Sequence, residues 1–312
     1  TKDFADKAAQ LRRVNKQVES LHKRFKETEN VIVRTAKRLM AYVAVYGGFN
    51  YAKDKVIEMA KANLQLSDTF ADVQKTTGLA ADEMKELSKS IDSIDTRTSQ
   101  QQLHELAAVA GQLGLKSQTD VLGFVKASNM ISVSLNELGS EGTASLMKIA
   151  TLTGEASQGT EKALLSIGSA INELTANSAA TAGPIADLMA RMGGVASQAG
   201  LTSAQLAAIG ATADALGHSM EITGTSMNKF VTTLMSSSDD IAYALNMDAK
   251  ALRDMLNEGK TMEAMIAIFE RMQGMGGMDQ LAGVMKDLGS EGARMTQVLT
   301  ALATNVDFLK GQ

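Results

Sequence analysis

An apolar side chain recurs every seventh residue at the start of this sequence, without a miss: Phe4, Leu11, Val18, Phe25, Ile32, Leu39 and Tyr46. A strict seven-residue repeat is slightly shorter than two full α-helical turns. It keeps one seam facing a neighbour only if the helix supercoils around another helix. Three residues further on, Val14, Leu21 and Tyr42 add a second stripe, broken by Lys7, Thr28 and Thr35. The flanks, such as "KQVESLHKRFKETE", are charged and contain neither Gly nor Pro. The spacing predicts a coiled-coil helix over residues 1–46, on the order of 65–70 Å long at 1.5 Å per residue, within a first region of residues 1–49 that includes its apolar end. Its seven seam residues are the predicted oligomer interface. Phe at two of them, with Thr28 and Thr35 in the second stripe, disfavours a dimeric zipper and points to three strands. The bland alternative is a long surface helix lying on its own domain.

Charge follows the same division. Residues 1–40 hold 11 Lys and Arg against 5 Asp and Glu, while the whole 312-residue chain has a net charge of −4. An acidic balance of this kind argues against sequence-specific nucleic-acid binding. The basic residues of the first segment read as a solvated helix face. The run "LMAYVAVYGGF" (Leu39 to Phe49) is apolar on every side, which predicts burial in a core or oligomer. It is too short for a bilayer crossing, which takes about 20 residues, and transient membrane contact is the lesser reading. The N-terminus is charged, with no apolar core and cleavage site, so no secretory signal is expected. A first residue of Thr rather than Met suggests a piece of a longer chain.

Beyond Gly47-Gly48 the pattern shortens, and residues 50–312 are expected to form a second region, an array of short helices. "TTGLAADEMKELSKSI" sets the form: a break at Gly78, then Met84, Leu87 and Ile91 at helical spacing. "SQQQLHELAAVAGQLGL" repeats it with Leu103, Leu106, Ala110 and Leu113. "KSQTDVLGFVKASNMI", "TSAQLAAIGATADALG", "DAKALRDMLNEG" and "TMEAMIAIFERM" follow. Each reads as a helix of about 10–20 residues bounded by short joints. Aromatics are only 4% and there is one Pro, so a barrel or sandwich is disfavoured. The fold class is therefore all-α. No fixed repeat period appears, although "LAAVAGQLG" (Leu106 to Gly114) is echoed by "LAAIGATADALG" (Leu206 to Gly217).

The pentapeptide LGSEG occurs at Leu138–Gly142 and again at Leu288–Gly292. A phosphate loop would require G-x-x-x-x-G-K-[ST] after a strand, and "GEASQGT" (Gly154 to Thr160) lacks the Lys. LGSEG reads instead as helix punctuation: Gly in the left-handed conformation, Ser as the next N-cap, Glu in the first turn. Gly139, Ser140, Gly289 and Ser290 are candidate hinges.

Catalytic chemistry is not legible. There is no Cys, and His22, His104 and His218 are far apart in sequence with no H-E-x-x-H, so a zinc site is not expected. There is no G-x-S-x-G elbow. "GMGGM" (Gly274 to Met278) reads as a loop rather than a dinucleotide fingerprint. Carboxylates are plentiful, which leaves a glycan hydrolase as a remote alternative, but they fall where helix surfaces and first turns would put them. No catalytic residue, metal ligand or cofactor is assigned. Twelve of the 19 Met lie between Met220 and Met295, with Met255, Met262, Met265 and Met272 at helical spacing. Core filling is the simpler reading, and an adaptable binding surface the other.

The order of segments carries a resemblance. "DTFADVQKTTGLAADEMKEL", "LHELAAVAGQLGLKSQTDVLGFVKAS" and "AQLAAIGATADALGHSMEITGTSMNKFVTTL" are followed by "TMEAMIAIFERM" and "GVMKDLGSEGARMTQVLTAL". Residues 68 to 305 resemble the core region of tail tape measure proteins of long-tailed phages and prophages. The resemblance implies a non-enzymatic, mostly helical structural protein made in the bacterial host cytoplasm. It would occupy the virion tail lumen, set tail length during assembly and leave with the DNA at infection. The implied partners are other copies of itself, as a homo-oligomer, and the tail tube and tail assembly proteins. The alternative is a membrane-active helical protein that inserts into the host envelope to aid DNA passage. Liposome leakage by this chain, lost on Val43→Asp, would favour that alternative.

Overall fold

The computed structural model describes residues 69, 71–274 and 293–311. All regular structure among them is helical. The seven predicted seam residues from Phe4 to Tyr46, the apolar run 39–49, and Gly289 with Ser290 lie outside the described residues. So does the predicted boundary at residue 49. Residues 71–77 are helical and lead into α1 (Ala81–Asp92), α2 (Gln100–Gln112), α3 (Gln118–Ser134) and α4 (Gly139–Leu152). A 3-10 turn at Glu155–Gln158 precedes α5 (Thr160–Asn177), α6 (Ala182–Ala199) and α7 (Ser203–Ala215). Then come α8 (Met220–Ser236), α9 (Ser238–Ala244), α10 (Ala249–Asn257), α11 (Thr261–Gly274), α12 (Ala293–Thr304) and α13 (Val306–Gly311).

Local chemistry explains many of these boundaries. Ser99 and Gln102 form a reciprocal capping box at α2: the Gln102 amide donates to Ser99 Oγ and the Ser99 amide to Gln102 Oε1. Thr202 and Gln205 repeat it at α7. Ser117 and Asp248 cap α3 and α10. Helix ends use left-handed residues. Gly114, Gly200, Gly217 and Gly259 have φ between 70° and 89°, and Asn246 has φ 52°. Around each, the residue's own amide bonds the carbonyl three positions back, and the next amide bonds five back, as Leu115 does to Ala110. That is the Schellman closure, which satisfies the last carbonyls of a helix. Pro184 sits at the third position of α6, where its missing N–H removes no intrahelical bond.

The tertiary order is a pair of rows. Helices α3, α5 and α7 pack in sequence as one row, and α4, α6 and α8 as the other. Gly123 of α3 lies against Glu161 at the start of α5, and Gly168 of α5 against Ile131 near the end of α3. Those two pairings advance in the same sense, so α3 and α5 are parallel. In the second row Gly183 lies near Glu137 and Gly193 near Leu152, so α4 and α6 are parallel as well. Between the rows the sense reverses: Gly210 meets Ile185, and Thr181 meets Asp214, making α6 and α7 antiparallel.

Mid-helix glycines permit this packing. A Cβ on Gly168 would sit 2.6 Å from Ile131 Cγ1, and one on Gly210 would sit 3.2 Å from Ile185 Cα. The backbones thus approach closer than any larger residue allows. Helix α7 is buried on nearly every side, from Leu206 through Ala213, and forms the middle of the core. Met84, Leu87 and Ile91 are buried on α1 as their spacing predicted, and so are Met262, Met265 and Met272 on α11. Met255 is only half-buried. Phe230 and Phe269 stack with centroids 5.5 Å apart, joining α8 to α11.

Candidate functional site

Parallel neighbours bring like helix ends together, and each N-terminal end carries four amide donors without intrahelical partners. The sequence answers with carboxylates. Asp120, in the first turn of α3, accepts from Ser117 Oγ at 2.5 Å and from Thr160 Oγ1, at the start of α5, at 2.9 Å. Next along the same row, Glu155 accepts from the amide of Ser203 at 2.8 Å and from its hydroxyl at 2.5 Å, at the start of α7. On the opposite end Asp214 accepts from both the amide and the hydroxyl of Thr181, before α6. A carboxylate near a helix N-terminus is favoured by the macrodipole as well as by hydrogen bonding. These acids are joinery between successive helices. They are separated along the rows and do not form a facing catalytic pair.

Other polar groups follow suit. His104 is buried, with Nε2 3.2 Å from Asp92 Oδ1, so it ties α2 to the end of α1. His218 is half-exposed at the joint before α8. Among the described residues no group of three or more His, Cys, Asp or Glu is placed to hold a metal ion. Asn129, buried in α3, accepts from Thr96 and Thr98 through Oδ1 and pins the α1–α2 connection. Lys260 and Lys310 have their pKa values raised, chiefly by hydrogen bonds to Glu258 and Glu270. Both are solvated surface pairs, a class of interaction worth little to stability.

A shallow open groove of about 280 Å³ runs between α4 and α6. Gly142, Ser145, Gly183, Ala186 and Ala190 line it, together with Glu137, Glu141 and Asp187. Asp187 is already held by Arg191 at 3.0 Å. Nothing in the groove pairs a nucleophile with a base. Among the described residues the large apolar side chains left exposed are Met130 and Val133, three residues apart on α3, and Leu152, Leu216, Met235 and Tyr243, the last 90% exposed. No helix among the described residues is long and apolar enough to cross a membrane.

The first LGSEG sits at the α3–α4 joint. Gly139 does adopt the left-handed conformation, with φ 52°, as its sequence context predicted. Its place differs from a helix-ending cap. Helix α3 ends at Ser134, five residues earlier, and Gly139 opens α4. Leu138, not Ser140, occupies the N-cap position, and no side chain caps α4. Leu138 is buried and folds back over Gly142, where a Cβ would come within 2.8 Å of Leu138 Cβ. The second Gly of LGSEG is therefore required by contact, the first by backbone angle. Sequence reasoning missed Asp120, Glu155 and Asp214 as joining residues. Their partners lie 33 to 48 positions away, and no local pattern marks them.

A family model described as phage-related minor tail protein matches residues 81–302, from the start of α1 to within α12. The chain belongs to that family. Membership makes it a structural phage tail protein, with other tail components as its partners. No curated protein and no solved structure matches it.

Proposed function

We propose that this chain is part of a tail tape measure protein, which sets tail length from within the tail tube lumen and leaves with the DNA at infection. The observation that carries the reading is the family match over residues 81–302. A helical sequence with a strict seven-residue apolar repeat ahead of it supports the same reading. In this account residues 1–49 associate as a three-stranded bundle through Phe4, Leu11, Val18, Phe25, Ile32, Leu39 and Tyr46. Residues 50–312 form the helical core region. A ruler converts residue number into length, and helix does so at a fixed 1.5 Å per residue. A sequence with one Pro in 312 residues has few obstacles to that use.

Lumen occupancy is tested by protease treatment of purified tails. A luminal ruler is protected in intact tails and becomes digestible, or is lost, once ejection has been triggered. Digestion of the chain in intact, untriggered tails would place it outside the tube and refute the reading.

A further inference from the structure

We draw no further inference here: the strongest candidate, the open groove between α4 and α6 lined by Gly142, Ser145, Gly183 and Ala186 together with Glu137, Glu141 and Asp187, joins a stripe of small residues to a cluster of acids, and nothing in the structure shows what covers it.

Discussion

Two glycines inside neighbouring helices give opposite forecasts for the same substitution. Gly194, in α6, has helical geometry and open space around it: a Cβ would meet nothing within 4 Å. Gly194→Ala should stabilise by about 1 kcal/mol, the helix-propensity difference between the two residues. Gly168, in α5, has the same propensity to gain. Its Cβ would however lie 2.6 Å from Ile131 Cγ1 and 2.9 Å from Ile131 Cδ1. Ile131 is 4% exposed, so it has little room to withdraw. Overpacking of this kind costs roughly 1–3 kcal/mol. The propensity gain offsets part of that, and Gly168→Ala should come out destabilised by about 0–2 kcal/mol. The gap between the two variants is then about 1–3 kcal/mol, or several degrees in Tm for a domain of this size. Urea unfolding followed by circular dichroism reads it directly. A cycle with Ile131→Ala sharpens the test: removing Cγ1 and Cδ1 makes room for the new methyl, so the double variant should be less destabilised than the sum of the singles. If Gly168→Ala stabilises as much as Gly194→Ala, or the cycle is additive, the close α3–α5 approach described above is wrong.

Three further outcomes follow from the joints and the seam. Glu155→Ala leaves the Ser203 amide and hydroxyl without their acceptor and should cost about 1–3 kcal/mol of stability; combined with Ser203→Ala, the loss should be less than additive in unfolding experiments. Gly114→Ala, at φ 89° with open space around it, should destabilise by about 1–2 kcal/mol through backbone strain alone, seen as a lower urea midpoint with an unchanged slope. Phe25→Asp should abolish self-association, so that light scattering reports a monomer where the unaltered chain gives an oligomer, three-stranded on the account above; a monomeric unaltered chain would contradict the coiled-coil seam.

The helical class was legible because its signals are local. Met84, Leu87 and Ile91 recur at helical spacing, and Ser99 with Gln102 spells out a capping box within four residues. The punctuation at Gly78, Gly114 and Gly217 could likewise be read, since a glycine after an apolar stripe is a common way to end a helix. What could not be read was which glycine does what. Gly168 and Gly194 both sit mid-helix in similar small-residue surroundings, and only the position of Ile131 separates them. LGSEG shows the same limit inside five residues. Its first glycine was recognisable as left-handed, but its place at the start of α4 depends on where α3 stops, and that is fixed by the burial of Leu135 and Leu138. The parallel rows were hidden for a further reason. Asp120 is a plain first-turn acid in sequence, and its bond to Thr160 depends on an intervening helix turning the chain back twice.

Tail length itself tests the central claim most directly. Removing residues 118–177 in frame takes out α3 to α5. A ruler counting in helical residues should then give tails shorter by about 90 Å, at 1.5 Å per residue, measured by electron microscopy of assembled particles. An insertion of the same size should lengthen them by the same amount. Tails that assemble at unchanged length after the deletion would contradict the account.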